Sequence, residues 1–86
     1  MIKFDMRLNI TSAVRFAKEA SKENFDIDVK QGKYIINGKS ALGLFSLDLT
    51  DDIRVEINAT YDEALDFINH CKKHITTSIK EVERAE

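Results

Sequence analysis

The sequence predicts a small α+β fold, a four-stranded and mostly antiparallel sheet with three helices covering one face. Two patterns predict it. Short segments alternate apolar and charged residues with the period of two of a half-buried strand, and others set apolar residues three and four apart as a helix does. The 86 residues include 43% hydrophobic and 33% charged side chains and no proline, the profile of an ordered globular chain with room for one core. We therefore expect a single domain over residues 1–86.

The first strand is read from Ile2, Phe4, Met6 and Leu8, which alternate with Lys3, Asp5 and Arg7. Asn9 to Ser12 holds good helix-capping residues, and Ala13, Phe16, Ala17 and Ala20 then recur at helical spacing. Phe25, Ile27 and Val29 alternate with acidic and basic neighbours. Gln31-Gly32-Lys33 turns the chain, and Tyr34-Ile35-Ile36 completes a hairpin. Asn37-Gly38 ends it, as residues that accept a positive φ. Ser40 to Leu49 fits neither period, and Ser40 is read as the cap of a short helix through Leu47. Ile53, Val55 and Ile57 make a fourth strand. Tyr61-Asp62-Glu63 opens a last helix carrying Ala64, Leu65, Phe67, Ile68, Cys71 and Ile75, expected to run to about Val82. The order is β-α-β-β-α-β-α, with the charged alternate positions of the strands on a solvated sheet face.

Thirteen basic and fifteen acidic side chains give a formal charge of −2, without the basic excess of a general nucleic-acid binder. Direct nucleic-acid contact is not expected. The mixed-sign charges of the open face suit cross-strand pairing better than RNA stacking. Cys71 is the sole cysteine and no apolar leader precedes the first strand, which reads as a reducing cytoplasm; no apolar run is long enough to span a membrane. The triplets beginning at Asn9 and Asn58 are then chance glycosylation-like matches. His70 and His74 stand four apart on the last helix and face one way, but without a clear third ligand they read as ordinary histidines, and no metal or cofactor is expected. Gly38-Lys39-Ser40 lacks the spacing of a phosphate-binding loop.

The element order, together with Lys39-Ser40-Ala41-Leu42-Gly43-Leu44-Phe45-Ser46-Leu47, resembles HPr, the phosphocarrier of the bacterial sugar phosphotransferase system, and its paralogues. The family reads approximately Lys-Ser-aliphatic-Met-Gly-aliphatic-Met-Ser-Leu there. Ala20-Ser21 also falls where the family has Ala-Ser near the end of its first helix. The resemblance spans residues 2 to about 75 and implies the open-faced β-sandwich of that family.

One departure is decisive. HPr carriers have His-Ala-Arg-Pro-Ala at the start of the first helix, where this chain has Asn9-Ile10-Thr11-Ser12-Ala13. Asn9 occupies the phospho-histidine position and Thr11 that of the arginine. An amide nitrogen is not a nucleophile, so the position loses its carrier chemistry, and no catalytic residue or enzymatic activity is expected. Ser40, in contrast, aligns with the regulatory serine that HPr kinase/phosphorylase modifies. A paralogue, Crh, likewise lacks the carrier histidine, keeps the serine and, when phosphorylated, serves a catabolite control regulator; the chain is similar to Crh in this respect. The resemblance implies protein partners of that kind and a docking surface at Lys39, Leu42, Phe45 and Ser46 beside Ser40.

Three readings follow. The first is a non-carrier regulatory protein that binds partners, switched by phosphate on Ser40. The second is a phosphocarrier using His70 or His74. The third is a self-associating module with no phosphate chemistry, in which case a homo-oligomer is expected.

Overall fold

The computed structural model describes residues 1–76 and 78–84. Along the chain come β1 (Ile2–Met6), α1 (Ile10–Ala20), β2 (Asp26–Gln31), β3 (Tyr34–Asn37), α2 (Ala41–Phe45), β4 (Ile53–Asn58), α3 (Tyr61–His74) and β5 (Lys80–Arg84). The period-2 segments form the sheet as expected. β1 pairs antiparallel with β4 in the register Ile2↔Ile57, Phe4↔Val55 and Met6↔Ile53. β2 flanks β4 with Ile27↔Ile57 and Val29↔Val55. All these side chains therefore lie on one face, where each is at most 1% exposed. Gly32, at φ +57°, supplies the left-handed residue that the β2–β3 hairpin turn requires.

Because β4 inserts between β2 and β1, those two run in the same direction, and α1 and α3 return antiparallel to each other across the apolar face. Ala13, Phe16, Ala17 and Ala20 of α1 and Ala64, Phe67, Ile68 and Cys71 of α3 fill the space beneath. Their small residues let the helices sit close, while Phe67 packs edge-on against Phe16 at 5.7 Å and Phe25 at 6.2 Å.

The chain beyond His74 departs from the sequence reading. The helix expected to continue to about Val82 ends at His74, and Lys80–Arg84 adds a fifth strand, giving the order β3-β2-β4-β1-β5. Ile75 and Ile79 both pack against the core, so the chain past His74 keeps its apolar contacts without continuing the helix. The open edge of β1 offers backbone partners instead, pairing Ile2↔Arg84, Lys3↔Glu83 and Asp5↔Lys80. Ser78 pins the connection, its Oγ accepting from Arg7 N and donating to Arg7 O, both at 2.9 Å. Every residue of β5 is exposed, so its place depends on the edge and on charge.

The open face carries cross-strand ion pairs. Glu56, 7% exposed, lies between Lys30 at 3.1 Å and Lys3 at 3.8 Å. Arg54 joins Asp5 and Glu83, both at 2.9 Å. Asp52 receives Lys80 at 2.9 Å and Arg7 at 3.2 Å. The hydrogen bond from Lys80, and then the charges of Lys80 and Arg7, hold the Asp52 carboxyl below its usual range. Its folded value is thus depressed below the unfolded one, so the stability it adds is present above the unfolded pKa of about 3.9 and lost as pH falls through the folded value. On acidification β5 is expected to open before the β1–β4 pair, seen as earlier amide exchange at Val82 than at Phe4. Simultaneous opening of both would show that Asp52 does not control the edge. No helix among the described residues is long and apolar enough to cross a membrane.

Candidate functional site

After β1 the chain extends through Asn9 (φ −106°, ψ −177°), which caps α1. Asn9 Oδ1 accepts from Ser12 N at 2.8 Å, and Ser12 Oγ accepts from Asn9 N at 2.9 Å. This reciprocal box satisfies two backbone donors and turns the asparagine oxygen onto the amides of the first turn. The position performs the structural task of a cap and holds no nucleophile. Thr11, on the same turn, is exposed and brings no positive charge to the helix start. Asn9→Ala is expected to cost about 0.5–2 kcal/mol of stability, measured by urea denaturation. An unchanged midpoint would mean that Ser12 caps the helix unaided.

Ser40 (φ −105°, ψ 109°) caps α2, its Oγ accepting from Gly43 N at 3.1 Å. The short α2 lies against α1, and Ser21 Oγ, at the end of α1, donates to Lys39 O at 3.3 Å. The α2 start is thus fixed to the far end of α1, and its last turn reaches back toward Ile10. Lys39 is grouped with the docking residues in the sequence reading. Its ammonium donates to Glu23 O at 3.0 Å, tying the start of α2 to the α1–β2 connection. Ser46 ends α2, its Oγ donating to Gly43 O at 2.6 Å.

Leu42 is 81% and Phe45 41% exposed, whereas Leu44 and Leu47 are buried. Phe45 forms one wall of an apolar cleft of about 410 Å³ with Ile10, Leu47, Asp48 and Leu49. Ile10, 69% exposed, and Leu49 were not singled out from sequence. The signal for Ile10 was its place directly after the cap and off the buried stripe of α1, and Leu49 had no signal. Gln31 shapes this side, its amide donating to Asp48 O and accepting from Asp48 N, both at 2.8 Å. The site is therefore an apolar surface between the start of α1 and the end of α2, with the Ser40 hydroxyl at the opposite end of α2 beside exposed Leu42.

The remaining candidates lie elsewhere. His70 and His74 sit on α3, with His70 Nε2 3.2 Å from Glu19 Oε2. Among the described residues no three His, Cys, Asp or Glu side chains gather as a metal site would. Cys71 is buried, and burial, with smaller contributions from Glu19 and Glu23, pushes its thiol up to about 12, which makes it unreactive at neutral pH.

Comparison with known proteins matches residues 2–77 to the family model described as "PTS HPr component phosphorylation site". Among curated proteins none matches the chain in sequence. Several solved structures share the fold at low identity. HPr-C-His from Thermoanaerobacter tengcongensis is 17% identical with a TM-score of 0.69, covering 91% of this chain and 97% of its own. The histidine-containing phosphocarrier protein of a Mycoplasma is 20% identical with a TM-score of 0.66, covering 88% and 99%. The phosphocarrier protein HPr of Bacillus anthracis str. Ames is 16% identical with a TM-score of 0.64, covering 87% and 98%.

Proposed function

The chain belongs to the HPr family of the phosphotransferase system, and on that premise we propose that it acts by binding protein partners without carrying phosphate. Asn9 carries this reading. It stands at the start of α1, where the family's carrier has histidine, and is locked there as a cap by Ser12. A carrier must attack a phosphoryl donor and later release the group, and the amide does neither. The apolar surface of Ile10, Phe45, Leu47 and Leu49 with exposed Leu42 beside it has the apolar character of the centre of a transient protein interface.

Ser40 is the proposed switch. Its phosphorylation adds about two negative charges at the head of α2, where the hydroxyl already accepts from Gly43 N. The segment need not refold, so the charge acts on whatever docks against Leu42 and Phe45. The partners in this reading are cytoplasmic: an HPr kinase/phosphorylase and a catabolite control regulator.

Two incubations test the reading. With enzyme I and labelled phosphoenolpyruvate the chain is expected to take up no label; label lost on substituting His70 or His74 would make it a carrier and overturn the proposal. With HPr kinase/phosphorylase and ATP, mass spectrometry is expected to find phosphate on Ser40. An unmodified Ser40 would remove the switch, and a stable homo-oligomer that blocks the Phe45 surface would favour self-association.

A further inference from the structure

The cationic side chains of this protein are unequally satisfied. On the sheet face Lys3, Arg7, Lys30, Arg54 and Lys80 each meet a carboxylate. Between α1 and α3 the pattern breaks. A cleft of about 340 Å³ is lined by Arg15, Lys18 and Glu19 from α1 and by His70, His74 and Ile75 from α3. Neither Arg15 nor Lys18 has an ion-pair partner among the described residues. Arg15 and Lys18 are one turn apart, as are His70 and His74, so each helix turns two nitrogen-bearing side chains toward the same space. Beyond His74 the surface continues through Lys72 and Lys73. A protein of net charge −2 therefore keeps two cations without ion-pair partners beside one concavity, among the described residues.

We propose that this cleft binds a small phosphate-bearing anion. The donors suit a tetrahedral dianion. A guanidinium presents a planar fork to two oxygens, an ammonium presents a point charge, and an imidazole offers a ring N–H. The two imidazole rings lie 4.7 Å apart and tilted by 46°, so they approach a ligand from one side while Arg15 and Lys18 approach from the other helix. The volume falls within the range of small-molecule sites, about 300–1,000 Å³.

Glu19 is the opposing group, and Lys22 offsets its charge. Lys22 Nζ lies 3.2 Å from one carboxylate oxygen and His70 Nε2 3.2 Å from the other, so the imidazole N–H free for the ligand is that of His74. Past His70 the groove turns acidic, lined by Glu23, Glu63 and Asp66. That change of sign confines the phosphate to the Arg15–His74 end and leaves an uncharged or cationic remainder of the ligand to extend toward Glu63. The cleft is separate from the α1–α2 surface, so its failure would leave the docking proposal untouched.

Inorganic pyrophosphate, titrated into the full chain and followed by amide and imidazole NMR shifts, tests the inference. Saturable shifts are expected at Arg15, Lys18, His70 and His74. The double variant Arg15→Glu, Lys18→Glu is expected to weaken binding at least about tenfold. Both side chains are exposed, and an unchanged melting curve confirms that the variant folds. Lys33→Glu, a single reversal of the same kind with half the total charge change, placed at the hairpin turn, is expected to leave binding intact. Shifts that never saturate, or that fall equally in both variants, would show general charge attraction and overturn the site. A short single-stranded RNA that binds where pyrophosphate does not would also overturn it.

Discussion

Phe16→Ala is expected to remove about 3–5 kcal/mol of stability. Phe16 is fully buried, and its ring meets Phe67 edge-on at 5.7 Å. It is the side chain by which α1 grips α3. The other buried residues of α1 are alanines, Ala13, Ala17 and Ala20, which have no atoms to swing into a vacated space, so the helix cannot refill the cavity from its own side chains. Total stability for a domain of this size is only about 5–15 kcal/mol, so roughly a fifth or more of it goes. At about 4–8 °C per kcal/mol the melting temperature falls by at least about 12 °C. Urea denaturation followed by circular dichroism is the measurement, with a lower midpoint at an unchanged slope as the expected result. A loss below about 1 kcal/mol would mean that α1 and α3 close over the gap. The consequence reaches function, because α1 also carries Asn9 and Ile10 on one end and Arg15 and Lys18 on its outer side.

The parts of the fold that were legible in sequence are those in which one residue type has one physical use. Ile2, Phe4 and Met6 alternate because one strand face is buried, and Asn9 and Ser40 cap because their side chains reach an amide three residues on. β5 was illegible for the opposite reason. Lys80-Glu81-Val82-Glu83-Arg84 buries nothing, so it carries no period. Its residues favour helices in isolation, and only the unpaired edge of β1, which is not a property of the segment, makes it a strand. Glu81 at φ +56° and the register shift between Lys3 and Asp5 mark the irregular pairing. At the site, Leu42 and Phe45 stood out as apolar residues in a segment with no period. The cleft that Phe45 borders depends on Ile10 and Leu49, which meet across some forty residues of chain. The same limit hid the Arg15–His74 cleft, since no local spacing relates α1 to α3. Lys39 has a bond that no local pattern announces: it sits beside Ser40 in sequence, and its ammonium donates to Glu23 O.

Gly38→Ala is the second large effect, and it concerns how α2 is held. Sequence suggested that Gly38 accepts a positive φ at the end of the hairpin, yet among the described residues Gly32 is the one glycine in that region. Gly38 is instead a close approach. Its N–H donates to Ile27 O at 2.7 Å, and an added Cβ would lie 2.7 Å from Ile27 Cγ2 and 3.1 Å from Ile27 O. The branched Ile27 side chain is itself buried against the sheet at 1% exposure, so the methyl cannot swing aside as a longer, unbranched chain would. The backbone must move, at a cost of roughly 1–3 kcal/mol. The displacement is expected to pass to Ser40, two residues on, whose N–H is fixed to Asn37 O at 3.0 Å, and from there to α2. NMR shifts concentrated in Ser40–Ser46, with β1 and β4 unmoved, would show this. If Gly38→Ala leaves both the midpoint and those resonances unchanged, Ile27 yields instead, and the position of the Ser40 end of α2 is set by Ser21 and Lys39 alone.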